Sequence, residues 1–170
     1  MKNNVFIFSV LGVIVVSVLG CLSHFAYEWL GNKPITAFLF ATNESVFQHM
    51  KIFLIPYFSY GVFEYLIYGK NIVNFIPVKT LSLLLGAIFI PIFFYSYSGI
   101  LGFNIVWVDI SIFFMAVILS FIISNIKMNQ TILPMKTDNS IWLIILLIVM
   151  LFTVIFSYFP PKLGLFIPEQ

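Results

Sequence analysis

Apolar residues run almost unbroken through five stretches of this chain, and the polar positions between them are few and clustered. A bilayer core about 30 Å thick takes about 20 residues of helix at about 1.5 Å each. By that measure the pattern predicts helices over 5–29, 45–68, 76–97, 105–124 and 140–159. The first run is longer than the apolar core of a signal peptide and lacks a small-x-small cleavage site, so it reads as a retained span. Connections this short leave no room for a soluble domain. The expectation is therefore an all-α, five-helix transmembrane bundle, a single integral membrane domain over residues 1–170, with its termini on opposite sides.

Between the first two runs, Pro34 to Thr42 is too short to cross and too apolar for water. It fits a short interfacial or re-entrant segment that returns the chain to the same face. Thr42 and Asn43 can cap the next helix, with Glu44 and Ser45 in its first turn. Gly12, Val16 and Gly20 form a ridge of small residues that lets another backbone approach. Pro56 and Pro91 fall inside the second and third runs. After the fifth, Pro160 and Pro161 end the helix, and the tail through Phe166 is expected to lie back along the membrane surface.

Composition strengthens this picture. The chain is 62% hydrophobic and 8% charged, with a mean hydropathy of +1.11, more apolar surface than a soluble domain of this length could hide. Membrane lipid is thus its first partner. The net charge of +2 comes from scattered lysines, which excludes a nucleic-acid-binding face. A lone cysteine, Cys21, excludes an internal disulfide, and no Cys/His spacing suggests a zinc ribbon. Lys2, Lys70, Lys79, Lys127 and Lys136 fall on the side of the N-terminus, against Lys33, Lys51 and Lys162 on the other. That bias favours a cytoplasmic N-terminus and an extracytoplasmic C-terminus.

The scarce polar chemistry gathers toward one side. His24 and Glu28 are four residues apart near the end of the first span and share a face, extended backwards by Cys21 and Ser17. Glu44, Gln48 and Lys51 line one surface of the second helix, while His49 projects around it, so Glu44 is not an automatic partner of His49. Asp109, near the start of the fourth span, belongs to the same side by the crossing count. His24, Glu28, Glu44, His49, Lys51 and Asp109 are the candidate site. Within it His24, His49, Glu44 and Asp109 could hold a divalent metal such as zinc, run general acid/base chemistry or coordinate a translocated cation, and Lys51 could stabilise an anion. No HExxH motif, nucleophile elbow, phosphate loop or dinucleotide fingerprint is present. Near the opposite end, Glu64 lies in a stripe with Tyr57, Tyr60, Gly61 and Tyr68, for which structural hydrogen bonding is the favoured role over a proton relay.

In three stretches the chain resembles the DUF6512 family of small bacterial multi-spanning proteins. These are Gly20 through His24-Phe25-Ala26-Tyr27-Glu28-Trp29, then Asn43-Glu44-Ser45-Val46-Phe47-Gln48-His49-Met50-Lys51 with Pro56, and Tyr158 with Pro160-Pro161 and Leu165-Phe166. Gln48 stands where relatives are often acidic. The resemblance implies an integral protein of the bacterial cytoplasmic membrane and supplies no activity. The functions expected are a membrane-embedded enzyme or ligand-binding protein acting on a lipid-associated small molecule, a small transporter or transporter accessory subunit, or a structural adaptor for a membrane-protein partner.

Overall fold

The computed structural model describes residues 2–129 and 138–168; Lys136 lies outside them. Five α-helices follow one another: α1 (Lys2–Trp29), α2 (Val46–Ile67), α3 (Phe75–Leu101), α4 (Val106–Asn129) and α5 (Asn139–Tyr158). The predicted runs coincide with them, except that α3 and α4 each continue about a turn further. Serines do not interrupt α3, because Ser96 and Ser98 return their hydroxyls to the carbonyls of Ile92 and Phe94 at 2.6 and 2.8 Å. The helix stops at Gly102, whose left-handed backbone (φ 79°) closes its N–H on the Ser98 carbonyl at 2.7 Å.

Helices α1, α3, α4 and α5 are long and apolar enough to cross a membrane. The expectation of five such helices is corrected at α2. That helix has 22 residues but carries Gln48, His49, Lys51 and Glu64, and it is not among the four. It is instead the one most enclosed by protein, with Phe53, Tyr57, Lys51 and Glu64 all essentially inaccessible.

Helices α1 and α2 run antiparallel along their length. The Tyr60 hydroxyl donates to the Phe8 carbonyl at 2.7 Å at one end, the Ile52 carbonyl lies over Gly20 further along, and the His24 and His49 rings stack at the other end with centroids 5.7 Å apart. The glycine ridge explains this closeness. A Cβ on Gly12 would run into the Phe121 and Tyr60 rings, and one on Gly20 into Phe113 and the Ile52 carbonyl. Small residues are used here for contact with α2 and α4 of the same chain. The core forms where Phe53, Tyr57, Leu83, Ala116, Val117 and Phe121 meet. Helix α5 is peripheral, packing mainly on α3, and Thr153 is its one buried residue.

Past α1 the backbone turns at Gly31 and Asn32, both with positive φ. A single 3-10 turn follows at Pro34–Thr36, and the segment is tied back by Ala41 N–H to the Ser23 carbonyl at 3.2 Å. It therefore returns to the end of the bundle it left, as expected. A last 3-10 turn, Gly164–Phe166, brings the tail onto the start of α2. There the Phe166 ring lies 4.7 Å from Phe47 and 5.3 Å from Phe156.

Candidate metal centre

The junction into α2 differs from the expected cap, and the difference builds the site. Ser45, not Thr42 or Asn43, is the N-cap residue, extended at φ −76° and ψ 154°. Asn43 Oδ1 accepts from the Ser45 N–H at 3.0 Å, while Gln48 Nε2 donates to Thr42 Oγ1 at 2.9 Å. These bonds fold the approach to the helix into a compact turn. Glu44 is consequently outside the helix, free of its register, and points back over both histidines. Its Oε2 is 3.3 Å from His24 Nε2 and 3.5 Å from His49 Nε2. Helical spacing sets Glu44 and His49 on different surfaces only if Glu44 belongs to α2; because it precedes the helix, it reaches both histidines.

His24, Glu44 and His49 thus form a compact group, their ligand-type atoms all within 4.8 Å of one another. Donors about 2.0–2.1 Å from a tetrahedral zinc lie about 3.3 Å apart, so the two histidine–glutamate spacings already suit one ion. Two imidazoles and a carboxylate are a donor set suited to zinc or a neighbouring divalent metal. The histidine side chains are 27% and 22% exposed and that of Glu44 63%, which leaves the carboxylate side open for a fourth ligand. Electrostatics agree. Hydrogen bonding from His49 holds the Glu44 carboxyl below its ordinary value, partly opposed by burial and aided by the charges of His24 and His49.

Three other sequence candidates do not join this group. Glu28 is exposed on the last turn of α1. Lys51, two residues on from His49, faces the other way around α2. Its buried ammonium donates to the Ala37 carbonyl at 2.7 Å and to Ser157 Oγ at 3.2 Å, so it pins the segment after α1 and the end of α5 rather than meeting an anion at the site. Asp109 is at the same end of the bundle, one turn before the Phe113 that packs on Gly20. Its carboxylate is taken by the Tyr97 hydroxyl and, at 3.4 Å, by Asn104 Nδ2. Tyr97 in turn accepts the Ile105 N–H at 3.0 Å, so Asp109 orders the α3–α4 connection.

At the far end, Glu64 has the structural bonding expected of it, with the Tyr68 hydroxyl donating to Oε1 at 2.5 Å. Its principal partner is one the sequence reading missed. Lys79 forms a buried ion pair with Glu64 and lies over the rings of Tyr57 and Phe121, 5.1 and 4.6 Å from their centroids. Counted only as a topological charge, Lys79 carried a usable signal: it is a lysine one turn into an apolar helix, at the end of the bundle where Glu64 sits.

A family model described as "Family of unknown function (DUF6512)" matches residues 2–170. No curated protein and no solved structure matches.

Proposed function

The chain belongs to the DUF6512 family, and we propose that it is a membrane-embedded enzyme or ligand-binding protein. Its working centre is a divalent metal held by His24, His49 and Glu44 at the extracytoplasmic end of the bundle. The observation that carries this reading is the convergence of two histidines and one carboxylate from two helices and a loop, with an open side. A divalent metal there supplies Lewis acidity toward a water or a substrate oxygen. His24 and His49 hold it by their Nε2 atoms, and Glu44 holds it or exchanges a proton from the exposed side. The rim includes the stacked pair Phe25 and Trp29, both exposed. Such aromatic residues sit well at headgroup level, so the substrate we favour is lipid-associated.

All five helices cross in this reading. Helix α2 matches α1 contact for contact from Phe8 to His24, and its 22 residues span about 33 Å. It tolerates its polar side chains because neighbouring helices, not lipid, surround them. With Lys51 and Lys79 buried in the bundle, the lysines that bear on orientation are Lys2, Lys70, Lys127 and Lys136 against Lys33 and Lys162, which favours a cytoplasmic N-terminus. The transporter alternative rests on Pro56, Pro91 and the polar stripe of α2 as well as on Glu64, and of these Glu64 is engaged by Lys79 and Tyr68. The adaptor alternative rests on short exposed termini and on a Gly12/Gly20 ridge, and that ridge is filled by α2 and α4.

Elemental analysis of detergent-purified protein tests the reading. About one equivalent of a divalent metal should be bound per chain after dialysis, and His24→Ala with His49→Ala should abolish it while circular dichroism stays unchanged. A metal-free wild type that also fails to take up added zinc would reject the metal centre.

A further inference from the structure

The segment that carries Glu44 is fastened to both histidine-bearing helices, in each case at the residue just before the histidine. On α1 the Ser23 carbonyl accepts the Ala41 N–H at 3.2 Å. On α2 the Gln48 amide closes on Thr42 with both of its ends. Its Oε1 accepts the Thr42 N–H at 3.4 Å, and its Nε2 donates to Thr42 Oγ1 at 2.9 Å. Successive side chains on a helix point about 100° apart, so Gln48 reaches the segment before the helix while His49 reaches the metal centre. Gln48 is 3% exposed, and a buried amide holds such bonds firmly because leaving its polar atoms unpaired is costly.

The carboxylate that this clamp serves is not itself enclosed. The Glu44 side chain is 63% exposed, and ion pairs in water are too weak to keep a long side chain in one place. Its station over His24 and His49 must therefore come from the backbone. Glu44 follows Thr42, which Gln48 holds, and precedes Ser45, whose N–H is held by Asn43 Oδ1 at 3.0 Å. The Asn43 bond is internal to the turn, whereas Gln48 ties the turn to the helix that bears His49. Ordering a ligand beforehand removes a cost of binding, and groups that orient metal ligands govern affinity without touching the metal.

We propose that Gln48 is a positioning residue of the metal centre, setting zinc affinity by fixing the Thr42 turn and, through it, Glu44 over the two histidines. This role rests on the reading of His24, His49 and Glu44 as metal ligands.

Zinc affinity of the purified protein, measured by competition with a chromophoric chelator, tests it. Gln48→Met keeps the length of the side chain and removes both bonds to Thr42. It should weaken zinc about tenfold or more, as loss of a ligand-orienting group does, with circular dichroism unchanged. Thr42→Val should act in the same direction and Thr42→Ser, which keeps the hydroxyl, should bind as the wild type does. This pair decides the matter if Gln48→Met does not fold. In a Glu44→Ala background Gln48→Met should cause no further loss, since the carboxylate it positions is gone. Wild-type affinity in folded Gln48→Met, or a loss undiminished in Glu44→Ala, would overturn the role of Gln48 while leaving the metal centre standing. A wild type that takes up no zinc would remove the metal centre and this role together.

Discussion

Glu44 owes its role to a position two residues before α2 begins. On α2 proper it would be held to the line of Gln48 and Lys51; before the Ser45 cap it is free to span His24 and His49. Residue types and a common end of the bundle were legible in the sequence, and the two histidines and Glu44 were all in the candidate set. What helical spacing could not convey was the turn made by Asn43, Thr42 and Gln48, because local side-chain hydrogen bonds of that kind have no period. The same limit let Asp109 and Lys51 into the set, since their partners Tyr97, Ala37 and Ser157 come from elsewhere in the fold. The Glu44 carboxyl is lowered by His49 first. A lowered folded value means that this carboxylate contributes stability above the ordinary glutamate value of about 4.3 and loses it as pH falls through the depressed value. The contribution is small because the group is largely exposed. Carbon-detected NMR of Glu44 should show a midpoint below that ordinary value, and His49→Ala should move it upward. Metal uptake should weaken on acidification, since protons compete for the same donors; dialysis against zinc buffers across pH checks this.

Among the elements, α2 is where length and composition pointed different ways. Its length suits a bilayer, while its polar content kept it out of the strongly apolar class. The resolution lies in its neighbours, for Glu64 is neutralised by Lys79 and Lys51 is hydrogen-bonded to two oxygens. Removing one member of a buried pair costs about 3–5 kcal/mol, whereas removing both is far milder. Glu64→Gln alone and Lys79→Met alone should therefore lower the melting temperature in detergent more than the two together. A double variant less stable than either single would show that the pair is not the unit of stability. Close approach gives a second contrast on the same helices. Gly20→Leu must displace Phe113 or the Ile52 carbonyl and should cost about 1–3 kcal/mol, as overpacking does. Gly61→Ala meets open space and should change little; denaturation of both variants side by side makes the comparison.

For the molecule as a whole, helix number, order and limits were legible because a bilayer imposes a length on every apolar run. Which faces meet was visible only at Gly12 and Gly20, where small residues mark contact. The packing of α5 left no such mark, its side chains being apolar nearly all round. If all five helices cross, single cysteines placed at Glu44 and at Lys70 in a Cys21→Ala background should label from opposite sides of sealed vesicles. Labelling of both from one side would remove α2 from the crossing helices. The Lys51 ammonium has a consequence for biogenesis. It joins Ala37, made before α2, to Ser157, made after α4, while Tyr158 reaches the Pro34 carbonyl at 3.1 Å. During synthesis the ribosome must finish α5 before the early segment can gain these ties. A nascent chain stalled before residue 139 should leave that segment open to protease, and release of the full polypeptide should close it.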